Sequence, residues 1–400
     1  MKYVIILGDG MADEPIESLG GKTILQAADT PNMDALSKLS EIGMVHTVPD
    51  GMAPGSDTAN LSVLGYDPKI YYSGRSPLEA LSIGVPMKDT DIALRCNIVT
   101  VTENDVPYEE QTIIDHSSSE ISTEDCAILL DAVRSVLEND EFKFYLGTSY
   151  RHCTIWDKGE VVPLTPPHDV LGQTIGQYLP KTPALKAMME KSYEILKNHP
   201  VNVARKEKGL NPANSLWFWG AGTKPALTSF LEKTGKKGVM ISAVDLLKGI
   251  AVGAGMTNII VPGADGTLHT NYVGKAKAAV KALTEDGYDF AYIHVEAPDE
   301  MGHQGSIERK LKAVENLDKS VVKVVVDELR DSKEPFRLII TPDHPTPIRV
   351  RTHVAEPVPY LLYDSTEELN RDWFYNEADA AASKNYVANG HQLIDKLFEK

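Results

Sequence analysis

Short, continuous apolar runs alternate with amphipathic stretches along much of the chain. Val4-Ile5-Ile6-Leu7, stopped by Gly8-Asp9-Gly10, has the texture of a strand buried on both faces, as in parallel sheets. Gly238-Val239-Met240-Ile241, Asn258-Ile259-Ile260-Val261, Phe290-Ala291-Tyr292-Ile293-His294-Val295 and Arg337-Leu338-Ile339-Ile340-Thr341 repeat that texture. Between the last two, Ile307, Leu311, Val314, Leu317, Val321, Val324 and Leu329 recur at helical spacing and predict a long amphipathic crossover. Further helices are predicted near 127–137, 184–197, 226–232 and 244–252. Another opens at Pro31 with Thr30 as its cap and runs to about Leu39.

Near Pro86 the pattern changes. Alternating segments at 93–101 and 143–146 flank the helical run at 127–137 without a helix after each strand, which predicts an inserted α+β cap. The polar stretch 198–214 reads as the return linker, and the strand-then-helix rhythm resumes at Leu216-Trp217-Phe218-Trp219-Gly220. The expected fold is therefore α/β. A mostly parallel sheet flanked by helices is built from residues 1–87 and 200–400, and residues 88–199 form the inserted cap.

Composition narrows the function. With 400 residues, a net charge of −17 and no basic run, the chain does not fit nucleic acid or an anionic membrane as its main partner. An anionic substrate must then be held by local positive charge or by metal. Cys96, Cys126 and Cys153 are scattered and lack CxxC spacing, so neither a disulfide framework nor a thiolate zinc site is expected, and a reducing cytoplasm fits. The first apolar run is too short for a signal peptide, and no run approaches membrane-spanning length. Oligomeric state is not set by any of these features.

Asp9, Asp299 and Asp343 each follow the carboxyl end of a predicted parallel strand, the rim at which open α/β sheets bind ligands. With His303, His344, His353 and Ser56 they supply three carboxylates, three imidazoles and a hydroxyl, enough for two divalent ions. Oxygen and nitrogen donors of this kind suit manganese, zinc or magnesium. Asp299 and His303 are four apart and share a face if the segment is helical, although Gly302 allows a turn instead. Taken alone, Ser56 or Asp57 in Pro54-Gly55-Ser56-Asp57 reads as a helix cap. Joined to a two-metal set, Ser56 reads as the nucleophile of a phosphoryl transfer. Arg75, Arg95, Arg151, His152, His168 and Asp169 are candidates for gripping phosphate and carboxylate groups. Gly8-Asp9-Gly10 lacks the third glycine of a dinucleotide fingerprint, and Pro15 interrupts the helix that would have to come next.

Through Ile6-Leu7-Gly8-Asp9-Gly10, Gly55-Ser56-Asp57-Thr58-Ala59-Asn60, Tyr72-Ser73-Gly74-Arg75, Ala93-Leu94-Arg95-Cys96-Asn97, Pro166-Pro167-His168-Asp169, Asp299-Glu300-Met301-Gly302-His303 and Pro342-Asp343-His344, the chain resembles the alkaline-phosphatase superfamily. Within it, the resemblance is to the cofactor-independent phosphoglycerate mutases of the shorter, archaeal type. This implies an alkaline-phosphatase-like core in which Asp9, Ser56, Asp343 and His344 hold one ion and Asp299, His303 and His353 the other, manganese foremost. It also implies that no bisphosphoglycerate is needed. Phosphate would pass from a small phosphorylated sugar acid to Ser56 and back to the neighbouring hydroxyl, beneath a closing cap that excludes water. Two other acceptors stay open at this stage: a small amino alcohol, as in a homoserine-kinase-like transfer, or water, as in a metal-dependent phosphatase.

Overall fold

The computed structural model describes residues 1–399. Its strands, in chain order, are β1 (Lys2–Gly8), β2 (Glu41–Val45), β3 (Ile92–Val101), β4 (Ile113–Asp115), β5 (Phe142–Thr148), β6 (Arg151–Trp156), β7 (Ser215–Thr223), β8 (Gly238–Ile241), β9 (Thr257–Asn258), β10 (Phe290–Val295), β11 (Phe336–Thr341), β12 (Val358–Asp364) and β13 (Tyr386–Val387). Two units form, one from residues 1–72 with those from 226 onward, the other from residues 73–225.

The first unit holds an eight-stranded sheet in the order β13-β2-β12-β11-β1-β10-β8-β9. From β11 to β9 every neighbouring pair is parallel. β12 runs antiparallel to both β11 and β2, because it returns from β11 without a crossover helix. Val4, Ile5, Ile6 and Leu7 are fully buried, as a strand covered on both faces requires. Strand register builds the rim. Leu7 pairs with His294 on one side and with Thr341 on the other, so β1, β10 and β11 end level and release Asp9, Glu296 and Pro342-Asp343 onto one edge.

The predicted crossover is one continuous helical run, Ile307–Leu317 and Lys323–Ser332 joined by a π-helical turn at Asp318–Val322. That turn corrects one expectation. Thr30 makes no side-chain capping bond to the helix Pro31–Ser37. The buried Asp318 carboxylate instead accepts the backbone N–H groups of Asn32 at 3.2 Å and Met33 at 2.7 Å, capping the helix from the crossover.

In the second unit β3 is flanked by β6 and β7, with β5 beyond β6 and β4 pairing at the far end of β3, all antiparallel. The helices Thr123–Leu137 and Pro183–Leu196 supply Leu129, Leu130, Leu185 and Met189 to its core. Its limits differ from the expected 88–199. The run at Leu216 does not join the parallel sheet; it forms β7, hydrogen-bonded antiparallel to β3. The supposed linker contains the helix Pro200–Glu207, tied down by Asn202, whose amide donates to the carbonyls of Leu196 and Ala213 at 2.9 and 2.8 Å. An apolar run ending in glycine reads the same in either sheet, so its partner strand was invisible in the sequence. Among the described residues no helix is long and apolar enough to cross a membrane.

Candidate functional site

The rim above β1, β10 and β11 gathers the candidate residues of the first unit. Ser56 is the first residue of the helix Ser56–Val63; Gly55, not Ser56 or Asp57, occupies the cap position. Its Oγ lies 3.1 Å from Nε2 of His344. That same Nε2 is 3.3 Å from Oδ2 of Asp343 and 3.6 Å from Oδ1 of Asp9. Asp299 and His303 lie on the helix Ala297–His303, so Gly302 does not break the face they share. Oδ2 of Asp299 is 3.1 Å from Nε2 of His303, and Oδ1 is 3.5 Å from Nε2 of His353. The rings of His344 and His353 stand 4.1 Å apart and join the two halves. Gly10 is needed here twice over: its φ is +60°, and a Cβ would come within 2.6 Å of Oδ1 of Asp299.

Two groupings have donor atoms close enough to share an ion: Asp9, Asp343 and His344, and Asp299, His344 and His353. The donors fit divalent cations on three counts. Oδ1 of Asp9 is buried and has no hydrogen-bond partner among the described residues, a demand that a cation would satisfy. Burial first, then the carboxylates of Asp343 and Asp299, push the Asp9 carboxyl well above its usual range, so the cluster by itself resists full ionisation. Nδ1 of His303 donates to the carbonyl of Arg351 at 2.9 Å, which turns Nε2 toward Asp299 and to 3.1 Å from Nε2 of His353. The hydrogen bond to Asp299 raises His303 to about 9, so a proton serves there unless a metal replaces it. Burial pushes Asp299 up, but bonds from His303 and His353 win and hold it well below the usual carboxylate range.

Several supports escaped the sequence reading. Asn60, four residues after Ser56, donates from Nδ2 to the Ser56 carbonyl at 2.8 Å and to Oδ2 of Asp343 at 2.9 Å. His294 contacts Oδ2 of Asp9 at 2.8 Å, and burial lowers its pKa to about 3, so it is neutral. The hydroxyl of Thr346 donates to Asp299. A polar residue inside an apolar strand, as at 292 and 294, was the available signal.

The other candidates belong to the second unit. Register pairs Arg95 with Cys153 and Trp219, and Asn97 with Arg151, which sets Arg95, Asn97, Arg151 and Trp219 on one face of the sheet. The guanidinium of Arg95 stacks 4.1 Å from the Trp219 ring, and its Nε lies 2.9 Å from Glu79, which also binds Nε of Arg75 at 2.8 Å. His168 meets the edge of Trp219 at 5.3 Å and has Asp169 at 3.7 Å. His116 and Tyr150 extend the row from His168 to Arg151. Trp219 and His116 were not anticipated. His152, on the opposite face of β6 from Arg151, lies apart from the row: it is 5% exposed and its Nδ1 accepts the Gly147 N–H.

A family model described as 2,3-bisphosphoglycerate-independent phosphoglycerate mutase matches residues 37–202. The chain is 48% identical over 394 residues to the 2,3-bisphosphoglycerate-independent phosphoglycerate mutase of Methanosarcina barkeri, covering 97% of each. It is 45% identical over 406 residues to the probable mutase of that name from Geobacter sulfurreducens, covering 100% of both. A solved structure from Pyrococcus horikoshii aligns over 99% of this chain and 96% of its own, with a TM-score of 0.80 and 30% identity. The cofactor-independent phosphoglycerate mutase of Thermoplasma acidophilum aligns over 99% of both chains, with a TM-score of 0.68 and 26% identity.

Proposed function

The chain belongs to the 2,3-bisphosphoglycerate-independent phosphoglycerate mutases, and on that premise we propose that Ser56 is the residue that carries phosphate between the two hydroxyls of glycerate. Its reaction interconverts 3- and 2-phosphoglycerate without added bisphosphoglycerate. The observation that carries the assignment of Ser56 is its hydroxyl, 3.1 Å from His344, near a buried carboxylate oxygen of Asp9 that has no hydrogen-bond partner among the described residues.

Asp9, Ser56, Asp343 and His344 would hold one divalent ion, and Asp299, His303 and His353 a second, with manganese our choice. Bound there, such ions supply Lewis acidity, which makes the hydroxyl easier to deprotonate and offsets charge on the phosphoryl oxygens. The chain's own groups do the rest. Ser56 Oγ forms the bond to phosphorus as the bond from phosphorus to the C3 oxygen breaks, and the serine proton ends on that oxygen. The 2-hydroxyl then attacks the phosphoserine, the Oγ–P bond breaks, and the proton returns to Ser56. The helix Ser56–Val63 directs the positive end of its dipole at the transferred group. His344, kept neutral by burial, orients the hydroxyl.

In the inserted unit, Arg75, Arg95, Arg151, His168 and Asp169 are proposed to recognise the substrate's carboxylate and hydroxyl groups. The guanidinium of Arg95 is already held flat by Trp219, so little freedom is lost on binding. His152 stands behind this row as a support.

Incubation with 3-phosphoglycerate alone, followed by phosphorus NMR and intact mass, tests the reading. It predicts 2-phosphoglycerate and a phosphate adduct on Ser56. Release of inorganic phosphate alone, or transfer only when homoserine is supplied, would replace it.

A further inference from the structure

We propose that Tyr292 and His294, two residues apart on β10 and therefore on one face of that strand, are positioning residues that lock Asn60, Asp343 and Asp9 in the geometry the site uses. The inference rests on the metal-assisted role of Ser56 proposed for the mutase reaction.

The hydrogen bonds admit one arrangement. The hydroxyl of Tyr292 donates to Oδ1 of Asn60 at 2.6 Å. Asn60, fully buried, must then turn its amide N–H groups the other way, and both are used: one reaches the Ser56 carbonyl, the other Oδ2 of Asp343. Oδ1 of Asp343 is taken by the N–H groups of Gly10 at 3.1 Å and His344 at 2.9 Å. Without the Tyr292 hydroxyl the amide of Asn60 can flip, and its oxygen would face the Asp343 carboxylate. One phenol thus fixes the first turn of the nucleophile's helix and a candidate ligand together.

His294 does the corresponding work for Asp9. Oγ of Ser242 accepts the Val244 N–H at 3.0 Å and lies 3.2 Å from Nδ1 of His294. An ionised Asp9 carboxylate can only accept, so the neutral His294 ring donates from Nε2 to Oδ2 at 2.8 Å and its Nδ1 accepts the Ser242 hydroxyl. The bond holds Oδ2 and turns the unpartnered Oδ1 toward His344 and Asp343. Both side chains are fully buried in the strand between β1 and β8, so neither touches substrate. Their effect passes through Asn60 and Asp9.

Metal-stripped wild type, Tyr292→Phe, His294→Leu and His294→Gln should be titrated with Mn2+ by calorimetry, with steady-state kinetics and thermal melts in parallel. Tyr292→Phe removes one hydroxyl and keeps the ring's packing. Glutamine at 294 keeps an amide donor where Nε2 stood. Tyr292→Phe and His294→Leu are expected to bind Mn2+ about 10–100-fold more weakly, with kcat reduced, KM for 3-phosphoglycerate little changed, and His294→Gln recovering most of the affinity. A merely structural role would lower the melting temperature and leave the Mn2+ affinity of the folded fraction intact. If His294→Leu does not fold, Tyr292→Phe and His294→Gln decide the matter. Wild-type affinity in Tyr292→Phe, or a His294→Gln no better than His294→Leu, overturns this inference alone. Failure of the wild type to bind Mn2+ overturns it together with the metal-assisted role of Ser56.

Discussion

The hydroxyl oxygen of Ser56 lies 3.1 Å from Nε2 of His344, although 288 positions separate the two in the chain. His344 is fully buried, and the loop that carries it leaves β11 beside β1, so the serine meets a fixed imidazole rather than a mobile one. Ser56→Ala should lower kcat by about 10³-fold or more and abolish the phosphate adduct in intact mass spectra. The Ser56 side chain serves no cap, so the melting temperature should stay near that of the wild type.

Removal of divalent ions should inactivate the enzyme and also soften it. Asp9, Asp299 and Asp343 crowd one rim, and Oδ1 of Asp9 is buried without a hydrogen-bond partner among the described residues. Chelation should abolish turnover, and Mn2+ at 100 times its Kd should return about 2.7 kcal/mol of stability through mass action alone. A melting temperature that ignores both chelator and Mn2+ would contradict the donor geometry.

Arg95 should govern substrate affinity more than the chemical step. Its guanidinium is fixed by the Trp219 face at 4.1 Å and by Glu79 at 2.9 Å. Lysine keeps the charge but loses both the stacking and the planar fork. Arg95→Lys is expected to raise KM for 3-phosphoglycerate about 10-fold, the worth of one charged hydrogen bond, while kcat changes far less. Steady-state kinetics in both reaction directions would separate the two effects.

The metal-site candidates were legible in the sequence because each carboxylate ends an apolar run, and parallel strands that end level deliver such residues to a common edge. Asp9, Asp299 and Asp343 obey that rule. Tyr292 and His294 did not declare themselves: within a buried strand a polar residue looks like a satisfied core position until its partner, 232 or 285 residues away, is known. The assignment of β7 failed for a related reason. Its hydrophobic run specifies burial, but pairing with β3 is a long-range choice that local pattern does not encode. The cap supplied by Asp318 to the helix Pro31–Ser37 likewise comes from a distant turn, whereas the local Thr30-Pro31 signal pointed to Thr30.

Lys310 should prove one of the costlier residues to truncate. It is fully buried, and its ammonium donates to Oδ2 of Asp13 at 2.8 Å and to the carbonyls of Thr346 and Ala12 at 2.8 and 3.2 Å. Lys310→Met leaves the buried Asp13 carboxylate without its cation, a loss of about 3–5 kcal/mol in urea denaturation. Adding Asp13→Asn should recover part of that, since the amide carries no charge to strand. The Thr346 hydroxyl donates to Asp299, so the single variant should also weaken metal binding.

Acid should destabilise the protein through His152. Burial pushes this imidazole down to about 3, against about 6.5 in an unfolded chain. Between those values the unfolded state binds the extra proton and the folded state does not. Stability is therefore flat above pH 6.5 with respect to this group, and falls as pH drops through the window by about 1.4 kcal/mol per unit. Nε2 of His152 is buried with no acceptor beside it among the described residues to relieve the charge, while its Nδ1 is already committed to accepting the Gly147 N–H. His152→Gln can keep an acceptor for Gly147 without a titrating group. Melting temperatures measured from pH 7.5 down to 5 should thus fall less steeply in His152→Gln than in the wild type, by roughly one proton's slope. Parallel curves would mean that the buried imidazole is relieved by local opening, and that the interior of the second unit is more accessible to water than its packing indicates.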